Sequence, residues 1–162
     1  MKVLLDTNIV IHRETSRIIN EDVFQLFMWL DKLKYDKVLH PVTETEIYKH
    51  KGKDILKLFQ GKLQAYVVLQ NKAPLHTEVM EKIIPLDRTE NDINDTLLIN
   101  EVFCDRVDLL ITEDKNIHKK PVCFLSQIKF LLLTHFSEEF FQKTLPLLII
   151  KFYLLKRPSL VR

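Results

Sequence analysis

A chain of 162 residues with 46% apolar residues has the size of one folded domain and enough apolar side chain for a core. Only 2 glycines, together with 28% charged residues, argue against a low-complexity or disordered chain. The net charge of +2 is too small to mark a nucleic-acid binder by itself, although a local basic surface would be enough to bind phosphates.

Three features of the sequence indicate a protein of the cytoplasm. Cys104 and Cys123 lie in apolar stretches without metal-ligand spacing, so we expect buried, reduced thiols. Asp6 interrupts the first apolar run, so we expect no signal peptide. The most apolar segment, residues 145–155, is about half the length of roughly twenty residues that a membrane helix needs. We therefore expect this segment in a core or an interface and no membrane partner.

Strand and helix periods alternate along the first half of the chain. Residues 3–5 predict a strand that ends at Asp6, and residues 37–39 predict a second strand. Between them, one apolar helix face is predicted from Val23, Leu26, Phe27, Leu30 and Leu33. The next helix is predicted to begin at residues 43–46, and a longer one after Gly52 to carry Ile55, Leu58, Phe59 and Tyr66 on one side.

The same alternation continues through the second half. The predicted elements are a helical turn near residue 79, a strand at 83–84, a helix at 92–104, a strand at 109–112, a short helix at 113–119, a strand at 128–133 and a helix capped by Ser137. Strands separated by helices predict crossover connections and a mostly parallel sheet covered on both faces. The predicted fold class is α/β.

Acidic residues occur where these strands end and helices begin. Asp6 follows the first strand, and Asp114 follows the strand at 109–112. In an open parallel sheet, ligands bind at the carboxyl ends of the strands. Asp95 shares a helix face with apolar residues, where an unpaired charge would be costly, and Asp92 lies one turn earlier. A bound cation is the simplest compensation for such a cluster.

Each acid also has a structural explanation, which is weakest for Asp6, because the nearby sequence offers only Arg13 and Arg17 as partners for its charge. Glu46 with Thr43 matches a capping box, in which the glutamate bonds back to the cap residue. Asp92 and Asp95 could be acids of a first helical turn, and Asp114 could be no more than an acid at a helix N-terminus. Four such coincidences would be needed together, so a shared site is the favoured interpretation.

These residues carry a resemblance to a known family. The motifs are Leu4-Leu5-Asp6-Thr7-Asn8, then Thr43 with Glu46-Ile47, then Asn94-Asp95, then Thr112-Glu113-Asp114-Lys115. Over residues 1–140 the chain resembles the PIN-domain ribonucleases, including the VapC-type toxins of toxin–antitoxin pairs. The resemblance implies a three-layer α/β/α sandwich with an acidic pocket that binds Mg²⁺ or Mn²⁺ and hydrolyses RNA.

The family's site residues can be transferred position by position. The matching catalytic and metal-binding acids are Asp6, Glu46, Asp95 and Asp114. Thr112 and Asn8 resemble supporting residues, Asp92 is a possible fifth acid, and Glu44 is a rival to Glu46. Independently of the family, carboxylate oxygens suit Mg²⁺ or Mn²⁺, which can activate water for attack on phosphorus.

Basic residues follow two of the acids and form a predicted RNA-binding rim. The lysines that follow Glu46 and Asp114 include Lys49, Lys51, Lys115, Lys119 and Lys120. An ordinary solvated run of charges is the alternative. Residues 141–162 form a hydrophobic extension beyond the predicted nuclease domain, for which we expect a homodimer contact, an antitoxin contact or the start of a further domain.

The sequence bears on two other functions. A phosphohydrolase with an aspartyl nucleophile needs a second acid two residues after the first, and that position is Asn8 here. A catalytically silent module that binds RNA or protein remains the alternative, and it is disfavoured because all four acids are present.

Overall fold

Residues 1–15, 21–120 and 130–132 are described by a computed structural model of the chain. The strands are β1 (Lys2–Leu5), β2 (Asp36–Leu39), β3 (Val67–Val68), β4 (Leu109–Thr112) and β5 (Phe130–Leu132). The helices are α1 (Thr7–Thr15), α2 (Glu21–Lys32), α3 (Pro41–Lys62), α4 (Thr77–Lys82), α5 (Glu90–Phe103) and α6 (Lys115–Lys119). Short 3-10 turns occur at Leu63–Ala65 and Ile84–Leu86.

The described strands form one parallel sheet in the order β3-β2-β1-β4-β5. In the central strand β1, Leu4 is in register with Val38 on one side and Leu110 on the other. Because every pair is parallel, the carboxyl ends of β1, β2 and β4 meet at the same edge. The predicted α/β class and parallel central sheet are confirmed.

Helices cover both faces of this sheet. Alternate residues of β1 point to opposite faces, so Val3 and Leu5 join one apolar core while Leu4 joins the other. The first core is completed by residues of α1, α2 and α3, and the second by residues of α4, α5 and α6. The result is the predicted three-layer arrangement.

One predicted strand is wrong and one real strand was missed. Ile83 caps the end of α4, and Ile84–Leu86 is a 3-10 turn. Pro85 in this turn lacks the N–H that a sheet ladder needs. The additional strand is β3, whose two valines are 47% and 45% exposed. With only two residues, β3 has no alternating pattern to recognise.

The third helix also differs from its prediction. It is continuous through Gly52 rather than divided there, and it begins at Pro41 with His40 as its N-cap. The Nδ1 atom of His40 accepts a hydrogen bond of 3.2 Å from the Val42 amide. The helix therefore starts too early for the Thr43–Glu46 capping box. Leu58 is exposed, against expectation.

Some predictions lie outside the described residues. These are the environment of Cys123, the helix at Ser137 and the extension at residues 141–162. Cys104 is partly buried with a free thiol, and burial raises its pKa. None of the helices within the described part of the chain is long and apolar enough to cross a membrane.

Candidate active site

A cleft of about 430 Å³ opens where β1 and β4 end. All four acids of the predicted site line it. The other lining residues are Thr7, Asn8, Ile11, His12 and Asn91. The acids come from four different segments: the ends of β1 and β4, and the helices α3 and α5.

Asp6 is the most enclosed of these acids. Its amide donates to the Ile111 carbonyl at 3.0 Å, which extends the pairing of β1 with β4 by one residue. The Thr112 hydroxyl donates to its Oδ2 atom at 2.6 Å. Burial raises the pKa of Asp6 to about 6, because desolvation outweighs the Thr112 hydrogen bond, and the carboxylates of Glu46 and Asp114 add to the rise.

Glu46 lies in the second turn of α3, with both carboxylate oxygens engaged. The Thr7 hydroxyl donates to Oε2, and the Asn94 side-chain amide donates to Oε1 at 2.8 Å. The Thr7 hydroxyl is also 3.3 Å from that of Thr43. Glu44, by contrast, is exposed and accepts a hydrogen bond of 2.6 Å from Gln60. Geometry thus places Glu46 in the cleft and Glu44 outside it.

Asp95 lies near the start of α5 and is half-buried. Desolvation and, after it, the nearby carboxylates of Asp6 and Asp114 raise its pKa to about 7, although the Lys120 ammonium opposes the rise. Asp95 is therefore repelled by two other carboxylates of the same cleft.

Asp114 is both a cleft residue and a helix cap. Its Oδ1 atom accepts a hydrogen bond of 2.6 Å from the Asn116 amide at the N-terminus of α6. Its own amide donates to the Thr112 hydroxyl at 2.9 Å. Thr112 consequently connects two acids, because its hydroxyl donates to Asp6 and accepts from Asp114.

The structure places Asp92 in a cap rather than in the cleft. With Thr89 it forms the capping box of α5, and its Oδ2 atom accepts from the amides of Thr89 at 2.8 Å and Arg88 at 3.1 Å. Hydrogen bonding by the Thr89 hydroxyl, and then by these amides, lowers the pKa of Asp92. The structural explanation of Asp92 as an acid of the first helical turn therefore matches the observed contacts.

The lysines of the predicted rim occupy different environments. Lys49 forms an exposed ion pair with Glu90, and Lys115 is exposed at the start of α6. The side chains of Lys51 and Lys119 lie outside the described residues. Lys120 is not a rim residue, because its side chain is only 10% exposed and is paired with Asp87.

Several residues in or beside the cleft have no role assigned from the sequence. Asn94 holds Glu46, and Asn91 and His12 line the opening, where His12 Nε2 lies 3.4 Å from a carboxylate oxygen of Glu113. Asn91 and Asn94 lie with Asp95 in the first turns of α5. Their closeness to Asp95 in the sequence is the signal that could have identified them as residues of the site.

The donors in the cleft are carboxylate oxygens, which suit a hard divalent cation. Among the described residues, no three His, Cys, Asp or Glu side chains are grouped closely enough to bind one metal ion directly. Mg²⁺ characteristically keeps several of its waters and uses only one or two carboxylates. Desolvation, followed by repulsion from neighbouring carboxylates, raises the pKa values of Asp6 and Asp95, and a bound cation would offset both effects. This donor set fits a hydrated cation of that kind.

Comparison with a solved structure supports the fold. A chain of VapBC2 from Rickettsia felis, bound to a DNA fragment from its promoter, superimposes with a TM-score of 0.54 at 12% identity, covering 82% of this chain and 98% of that chain. The fold is a PIN-like α/β/α sandwich. A chain of FitAB bound to an IR36 DNA fragment gives a TM-score of 0.47 at 17% identity, covering 84% and 98%. No protein-family model and no curated protein matches this sequence.

Proposed function

We propose that the chain is a metal-dependent endoribonuclease that hydrolyses RNA phosphodiester bonds. The observation that carries the proposal is the convergence of Asp6, Glu46, Asp95 and Asp114 on one open cleft. Like charges brought together from four segments destabilise the fold unless a bound ligand compensates their repulsion. The PIN-like fold and the family resemblance of the motifs support RNA as the substrate.

In this proposal Asp6, Asp95, Asp114 and Glu46 surround a hydrated Mg²⁺ or Mn²⁺. One or two of these carboxylates would bind the ion directly and the others through its water molecules. A bound cation would supply Lewis acidity toward water and the phosphate oxygens. Thr112 fixes the orientation of Asp6, while Thr7 and Asn94 fix that of Glu46. Fixed carboxylates limit the reorganisation needed when water attacks phosphorus. Asn8, exposed at the opening, is available to contact the sugar–phosphate chain.

The direct test uses purified chain and mixed single-stranded RNA, with Mg²⁺ or Mn²⁺ and with or without EDTA. We expect cleavage only with metal, and a loss of about a hundredfold or more for Asp6→Asn, since metal catalysis supplies several kcal/mol. Asp36→Asn, at an exposed aspartate of β2, is the matched control and should cleave normally. Cleavage that persists in chelator, or in Asp6→Asn, would overturn the proposal.

We further propose an antitoxin-like protein partner. The support is the similarity in fold to a chain of VapBC2, whose structure is a complex. The test is co-expression with the product of any small reading frame immediately upstream, followed by co-purification and RNA cleavage. Copurification with inhibition supports the partnership. A chain that binds RNA but shows no cleavage with either metal would favour the silent binding module instead.

A further inference from the structure

The Lys120 side chain makes an unusually complete set of contacts next to the cleft. Its Nζ atom lies 2.8 Å from Asp87 Oδ1, 2.6 Å from the Asp92 carbonyl oxygen and 2.7 Å from Thr96 Oγ1. An ammonium group has three donor hydrogens, so these three acceptors match its full capacity. The Thr96 hydroxyl in turn donates to the other oxygen of Asp87 at 2.7 Å.

These contacts join two elements that carry acids of the cleft. Asp92 and Thr96 lie one turn apart on α5, and Asp95 lies between them in sequence. Lys120 directly follows α6, whose N-cap is Asp114. The short helix α6 therefore begins at a cleft acid, Asp114, and is followed by a cation that binds α5, the helix that carries Asp95.

We propose that Lys120 is a positioning residue that holds α5 against α6 and so keeps Asp95 beside Asp114 in a geometry that binds a divalent cation. This inference rests on the proposed metal site. Without a cation between them, the two carboxylates repel, and separation of α5 from α6 would relieve the repulsion. The ammonium opposes that movement from within the protein, and it also moderates the rise in the pKa of Asp95.

A simple replacement of Lys120 would be ambiguous. The Asp87 side chain is only 4% exposed, so Lys120→Met leaves a buried carboxylate without its cation and destabilises the fold. The double variant Asp87→Asn with Lys120→Met removes both charges together. The amide that replaces the Asp87 carboxylate still offers an oxygen to the Thr96 hydroxyl. Lys82→Met is the matched control, because Lys82 pairs with Glu78 in an exposed ion pair on α4.

The experiment is Mn²⁺ titration of the full chain and these variants, followed by electron paramagnetic resonance of free Mn²⁺. The temperature is one at which circular dichroism shows each titrated variant to be folded. We expect the double variant to bind Mn²⁺ about tenfold more weakly, as for other residues that orient metal ligands. Lys82→Met should bind like the wild type.

The double variant separates positioning from charge alone. Its removed ammonium and removed carboxylate offset each other, so with no change in geometry Mn²⁺ binding would stay nearly the same. Unchanged or tighter binding by the folded double variant therefore overturns the proposal. If Lys120→Met fails to fold, the double variant decides.

The same preparations distinguish this proposal from the proposed function. Wild type that binds Mn²⁺ but leaves RNA intact overturns the ribonuclease, and the comparison of Mn²⁺ affinities still decides the role of Lys120. Wild type that cleaves RNA while the double variant binds Mn²⁺ normally overturns only the role of Lys120. Wild type that binds no Mn²⁺ overturns both.

Discussion

The Thr112 hydroxyl donates a hydrogen bond of 2.6 Å to the carboxylate of Asp6, 106 positions away in the chain. Both side chains are buried, and each directly follows or ends a central strand. Because β1 and β4 are parallel and Leu5 is in register with Ile111, the next residues along the two strands are neighbours. Strand register therefore brings the Thr112 hydroxyl to the Asp6 carboxylate.

Replacing Thr112 tests this contact. Thr112→Val keeps the shape but leaves Asp6 without its donor and the Asp114 amide without its acceptor. We expect the free energy of unfolding at pH 8 to fall by about 1–3 kcal/mol, as measured by urea denaturation. Thr112→Ser restores the hydroxyl and should recover most of the loss. Equal stability of the valine variant and the wild type would show that the hydrogen bond has no energetic role.

The pH dependence of stability should report the repulsion in the cleft. The pKa of Asp95 is about 7 in the folded chain against 3.8 for an ordinary aspartate, so the folded state holds its proton more tightly. This group's contribution to metal-free stability is present below pH 3.8 and is lost as the pH rises through 7. The Tm of the metal-free chain should therefore decrease between these pH values, and Mn²⁺ binding should release protons.

Asp95→Asn is the corresponding variant. The amide mimics the neutral acid, so at pH 8 the metal-free Tm should rise and its pH dependence should become weaker. The increase in Tm that Mn²⁺ gives the wild type should disappear, because stabilisation by a ligand requires its site. Differential scanning fluorimetry with and without Mn²⁺ measures both effects. A lower metal-free Tm with an intact Mn²⁺ shift would make Asp95 a structural residue.

The two neighbouring glutamates of α3 provide a paired test. Glu46→Gln keeps the side-chain shape but removes a charge from the cleft, and we expect RNA cleavage and Mn²⁺ affinity to fall about tenfold or more. Glu44→Gln should leave both unchanged, since Glu44 is exposed and pairs with Gln60. Equal losses in the two variants would contradict the assignment of Glu46.

The C-terminal extension is predicted from its sequence to form an interface. Apolar residues occupy nearly every position of 145–155, so a helix there could not bury all of its faces on one domain. We expect light scattering to give a mass at least twice 19.3 kDa. Leu148→Lys should lower the mass, whereas Lys151→Glu, which starts from a charged position, should change it less. A stable monomer at micromolar concentration would refute this prediction.

The sequence by itself determined the fold class and the main acids. Apolar periods of two and of about three to four residues are local properties, so the strands β1, β2 and β4 and the helices α2 and α5 could be recognised from neighbouring positions. Asp6 and Asp114 were identifiable for the same reason, because parallel strands bring their carboxyl ends to one edge wherever they lie in the chain.

Tertiary structure decided the contacts that give each acid its environment. Thr7 and Asn94, 39 and 48 positions from Glu46, bring that glutamate into the cleft and hold it there. The sequence predicts Lys120 to belong to a basic rim that binds RNA, yet three acceptors from distant positions enclose it. Hydrogen-bond partners of this kind depend on how the helices pack on the sheet. Packing joins residues remote in sequence, so no local pattern of residues could have specified them.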